Sequence, residues 1–138
     1  MIARRELLLG SVLLLASCSR KPRCRRCGMV LDPKSRWLVT MTLADGSTEQ
    51  FDTPKCAFFT LRSGEREKGA KLVFKSYYGQ KTVDEGALVF AKGSDVLGPM
   101  GEDLVPVEPE LAQKFKVEHK AKEMLKAADV TKAIVEAM

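Results

Sequence analysis

One histidine, one tryptophan and two tyrosines are all that 138 residues contain of those types. With a lone imidazole no Ser-His-Asp arrangement stands out, and no glycine-rich loop of the phosphate-cradling kind occurs, so hydrolytic and nucleotide chemistry lack their usual residues. The sparse aromatics do not interleave with basic residues, as a nucleic-acid surface would require, and no nucleic-acid partner is expected. No apolar stretch reaches the roughly 20 residues that a helix needs to cross a bilayer. The length suits one modest domain, and 45% hydrophobic residues exclude a disordered tail.

What charge there is lies unevenly. The whole chain carries 23 basic and 18 acidic residues. From Cys27 onward the balance is nearly neutral, so the excess sits in the first 26 residues. Arg4 and Arg5 precede an apolar run from Leu7 to Ala16, which has the form of a signal-peptide core. The tetrad Leu15-Ala16-Ser17-Cys18 resembles a bacterial lipobox, so residues 1–17 are expected to be removed and Cys18 to carry lipid. The Arg pair also resembles a twin-arginine export signal, with an ordinary basic leader as the alternative. Residues 18–26, with Arg20, Lys21, Arg23, Arg25 and Arg26, read as a basic tether at an anionic membrane face or as a solvated linker. These features place the protein on a membrane through its lipid, on the periplasmic or extracytoplasmic side.

The domain proper, residues 27–138, reads as an α+β fold. Arg36 to Leu43 is rich in β-branched and aromatic residues and predicts a strand. Asp45-Gly46 supplies a hairpin turn, and Thr48 to Asp52 the return strand. Thr53-Pro54 has the form of an N-cap followed by proline at the first helical position, and Gly64 ends the helix it opens. Lys71 to Tyr77 closes a β-β-α-β unit of about residues 27–80. The order repeats over 81–138, with strands at Ala87 to Lys92 and Leu104 to Val107, and a helix from Glu108 to about Lys120. Leu111, Phe115 and His119 share a face of that helix. Lys122 to Lys126 reads as the closing strand and Asp129 as the cap of a final helix, although a continuous helix over 121–137 competes.

The chemistry is suggested by Cys24-Arg25-Arg26-Cys27-Gly28-Met29. Thiolates and thioethers are soft donors that select Cu(I) over hard cations, and a turn at Gly28 would aim Cys27 and Met29 at one point. A Cys-x-x-Cys pair in an exported protein also suits a disulfide or a redox couple. Met100, held in a loop by Gly98-Pro99 and Gly101, offers a third sulfur, with a buried plug as the alternative. Cys56 falls in the first turn of its helix, where the positive dipole end lowers a thiol pKa, and is either a ligand or a small core residue. His119 is a ligand or a satisfied residue at the core edge.

Cys27-Gly28-Met29, Gln50-Phe51-Asp52, Cys56-Ala57-Phe58-Phe59 and above all the segment from Ser94 to Val107, followed by Ala112, Phe115 and His119, resemble the NosL family of nitrous oxide reductase accessory copper lipoproteins. The resemblance runs from the tether to roughly Val130. It implies a pair of β-β-α-β units, a fold shared with organomercurial lyase, and Cu(I) bound by Cys27 and Met100 with Met29 as a further participant. It implies a metallochaperone without catalytic activity, whose copper acceptor is nitrous oxide reductase. Cys24, Cys56 and His119 extend the candidate ligand set, and Lys120 stands where the family's pattern has glycine. Two other readings use the same residues. One is a thiol-dependent organomercurial lyase-like or redox enzyme built on Cys27 with Cys24 or Cys56, and Asp52 as proton donor; the other is a structural zinc site from Cys24, Cys27 and Cys56, which lacks a fourth ligand unless His119 folds back.

Overall fold

The computed structural model describes residues 20–64 and 69–138. The leader and Cys18 lie outside the described residues, so the lipidation expectation is not addressed by the fold. Among the described residues no helix is long and apolar enough to cross a membrane.

Strand β1 (Val39–Thr42) and strand β2 (Thr48–Phe51) form the expected hairpin, with Val39 opposite Phe51 and Thr42 opposite Thr48. Helix α1 (Pro54–Arg62) follows, and Thr53 accepts a hydrogen bond from the Cys56 amide, satisfying one of the donors that every helix start leaves unpaired. Strand β3 (Lys71–Lys75) returns beside β1. A short strand β4 (Thr82–Asp84), absent from the sequence reading, adds an outer edge and gives the order β2-β1-β3-β4. Three residues with one inward-leaning apolar side chain, Val83, carry too little pattern to announce a strand.

The second sheet consists of β5 (Val89–Lys92), β6 (Val105–Val107) and β7 (Glu123–Lys126), in the order β6-β5-β7. Helix α2 (Ala112–His119), preceded by a 3-10 turn at Pro109–Leu111, lies between β6 and β7 in the chain. Both sheets are antiparallel throughout, and the repeated β-β-α-β order is that expected from the sequence. The last helix, α3 (Lys132–Glu136), is capped by Thr131, whose side chain accepts from the Ile134 amide. The expected cap Asp129 instead ends a 3-10 turn, Ala127–Asp129. The competing continuous helix over 121–137 does not form, because residues 123–126 pair with β5.

Alternation along the strands builds two cores. Val39 and Met41 of β1, Leu72 and Phe74 of β3, and Phe90 of β5 turn into one cluster with Phe58 of α1. There Phe58 stacks on Phe74 at 5.4 Å and meets Phe90 edge-on at 4.9 Å, so one helical ring joins the two sheets. Ala91, one residue along β5, faces the opposite way into a smaller cluster with Val105, Val107 and Phe115 of α2. The expected tether shortens on folding. Cys24 is buried in the first core and Leu31 beside it, so the domain begins before residue 27, within a strap that starts by Pro22.

Candidate metal centre

The strap is a closed loop. The Cys24 amide donates to the Met29 carbonyl at 2.7 Å, the Gly28 amide to the Cys24 carbonyl at 3.0 Å, and the Leu31 amide to the Pro22 carbonyl at 2.9 Å. Closure needs a backbone φ of +77° at residue 28, a left-handed conformation that glycine adopts at no steric cost. Arg25 ties the loop to β2, its amide donating to the Gln50 carbonyl. Cys24 therefore points into the protein while Cys27 stays at the surface.

Cys56 meets them from the first turn of α1. The sulfurs of Cys24, Cys27 and Cys56 all lie within 4.8 Å of one another. Among the described residues no histidine, aspartate or glutamate joins that group. Cys24 and Cys56 are 4% and 5% exposed, so two sulfurs are shielded and only Cys27 is open to a visiting molecule.

The three thiols are shifted in different directions. The Cys24 sulfur accepts from the Cys56 thiol and from backbone amides, among them Cys27 at 3.5 Å, and these outweigh burial to hold its pKa near 4. Cys56 goes the other way. Its thiol is pushed up by donating to Cys24 and by burial, so the expected lowering at the helix N-terminus does not prevail. Partial desolvation likewise raises Cys27. Asp52 is buried and its Oδ2 has no hydrogen-bond partner; burial, and then repulsion from Cys24, raise its carboxyl pKa.

Beside the thiols opens a cavity of about 550 Å³, lined by Arg26, Cys27, Lys55, Cys56, Phe59 and, unforeseen in the sequence, Met138. The Arg26 guanidinium lies 3.5 Å from the centre of the Phe59 ring. Met29 and Met100 are 40% and 39% exposed and do not line this cavity. Met100 rides the tip of a tight turn closed by reciprocal bonds between Gly98 and Gly101. That turn is nevertheless fastened to α1: Asp103 Oδ1 accepts from the Lys55 amide at 2.8 Å, and Lys55 Nζ donates to the Glu102 carbonyl at 3.1 Å.

His119 is not brought to the thiols. Its Nδ1 lies 2.9 Å from Asp95 Oδ1 and its Nε2 3.2 Å from the Tyr77 hydroxyl, and its ring packs on Phe115. Both nitrogens are engaged, which also leaves the zinc alternative without its histidine. Three thiols alone fall short of the four ligands usual in structural zinc sites, whereas a small all-sulfur set suits Cu(I).

A surface-reaching thiol trio that could hold a metal ion, set on a pair of antiparallel β-β-α-β units, defines a small α+β domain. The sequence profile of the NosL family matches residues 16–135, and the chain belongs to that family. The fold is similar to the crystal structure of the copper chaperone NosL from Shewanella denitrificans, with a TM-score of 0.64 at 17% identity, covering 80% of this chain and 90% of that one. No curated protein matches the sequence.

Proposed function

We propose that this protein is a Cu(I) carrier, and the observation that carries the reading is the convergence of the Cys24, Cys27 and Cys56 sulfurs within 4.8 Å. Three soft donors, one already favouring the thiolate, hold a monovalent d¹⁰ ion without demanding a fourth ligand. Cys27 is the exchange point. An acceptor's thiolate, thioether or imidazole attacks copper at that exposed sulfur and bonds before the two buried sulfurs release it. Met29 and Met100 act as outer thioethers in this reading, and the attachment of the Met100 turn to Lys55 supports it by keeping that turn beside the helix of Cys56.

Export and lipidation at Cys18 place the carrier on the extracytoplasmic membrane face, where the lipobox-like tetrad and the basic residues beside it support anchoring. Nitrous oxide reductase is the acceptor that the family resemblance supports. The test is Cu(I) titration of the reduced protein against a competing chelator. Cys27→Ser and Cys24→Ser should each lower affinity on the order of 100-fold, since loss of even outer-shell partners commonly costs 10- to 100-fold. His119→Gln should leave it unchanged. Full affinity in both cysteine variants, or tighter Zn(II) than Cu(I) binding, would overturn the proposal.

A further inference from the structure

The cavity beside the thiols is far larger than a copper ion requires, and one of its walls carries another soft atom. Met138 lines it together with Cys27 and Cys56. Its position is built rather than incidental. Arg62, at the end of α1, donates to the carbonyls of Val130 and Ala127 at 2.8 and 2.7 Å, fixing the segment that leads into α3. Val135 of α3 is buried in the first core, the Met138 amide donates back to the Val135 carbonyl, and Lys55 Nζ donates to the Met138 carbonyl at 3.4 Å. The same lysine also holds the Glu102 carbonyl, so α1, α3 and the Met100 turn meet at one ammonium group.

We propose that Met138 is a copper ligand, the thioether that takes up Cu(I) on the cavity side of the thiol trio; this rests on the Cu(I) reading above. A thioether is neutral and soft, so it binds Cu(I) and contributes little to Zn(II). Phe59 and Val135 line the same cavity and give the thioether apolar neighbours. In the exchange, the bond from copper to Cys27 Sγ breaks as the bond to Met138 Sδ forms. Copper stays monovalent, no electron moves, and the freed Cys27 thiolate takes a proton from water. Met138 thereby sets selectivity and gives the metal a second position on its way to an acceptor.

The experiment uses the full chain, reduced and in detergent, with ¹³C-labelled methionine methyl groups. The Met138 resonance is assigned by its loss in Met138→Leu, a nearly volume-conserving change that preserves packing. One equivalent of Cu(I) should move that resonance, and Met138→Leu should weaken Cu(I) about tenfold while leaving Zn(II) affinity unchanged. A Met138 resonance that stays in place while Cu(I) is bound would overturn the proposal, as would equal losses for Cu(I) and Zn(II), which would mark Met138 as packing alone. Failure of the wild-type chain to take Cu(I) from the chelator would overturn the copper reading itself, and this proposal with it.

Discussion

The two β-β-α-β units share a topology and differ in what their helices do. Helix α1 is buried along most of its length, with Pro54, Cys56, Ala57, Phe58 and Thr60 all inside, whereas α2 buries only Phe115. The difference follows from what lies over each helix. α1 is covered by α3 and flanked by the strap, so a thiol in its first turn is shielded on several sides, while α2 covers one face of its sheet and leaves Val117 in solvent. The same architecture thus makes a thiol-lined pocket in one unit and a clasp in the other. His119 and Asp95 secure the loop that carries Met100, and Asp103 fastens the far end of that loop to α1.

The contrast is broken most severely at Phe58, whose ring touches both sheets. Phe58→Ala is expected to cost about 3–5 kcal/mol of unfolding free energy, measured by urea titration, because it empties the joint between the units. Next is Asp103, the fastener between them. Burial pushes its carboxyl up to about 6 from an ordinary 3.8, so the folded protein binds more protons than the unfolded chain between those values. Stability contributed by this residue is full below about pH 4 and is lost as pH rises through 6, by on the order of 3 kcal/mol. Asp103→Asn keeps an acceptor for the Lys55 and Leu104 amides and should flatten that part of the profile, read from urea midpoints between pH 4 and 7.

Smaller effects sharpen the comparison at the helix ends. Thr53→Ala removes the cap that α1 has and α2 lacks, and should lower the thermal midpoint through a loss of about 1 kcal/mol. At the other end of α2, Lys120 occupies a left-handed conformation with φ of 54°. Lys120→Gly should therefore stabilise by up to about 1 kcal/mol, visible as a modest rise in the same midpoint.

Local signals made much of this fold legible. Asp45-Gly46 specified a hairpin and Thr53-Pro54 a helix start, whereas Lys122 to Lys126 left strand and helix in competition until pairing with β5 decided for the strand. Thr131 caps the last helix although Asp129, two residues earlier, offers the same capping chemistry in the sequence. Of the metal centre, the candidate cysteines could be read, yet their grouping could not. Cys24 sits among arginines and looks like part of a solvated linker; only backbone closure around Gly28 turns it inward. The meeting of Cys24 with Cys56, and the placing of Met138 on the same cavity as Cys27 and Cys56, spans separations at which sequence carries no register.

The strap has a consequence for solubility. β2 is an outer strand of its sheet, and such a strand displays unpaired amides and carbonyls on which a second chain can build. The strap occupies part of that border, with the Arg25 amide on the Gln50 carbonyl and the Arg25 guanidinium 3.6 Å from the Glu49 carboxylate. A residue of the loop that carries Cys24 and Cys27 also sets its guanidinium along the sheet's outer border, where it discourages strand-by-strand aggregation. Shortening the chain from its N-terminal side past the strap would thus remove two thiols and expose a sticky border in a single cut.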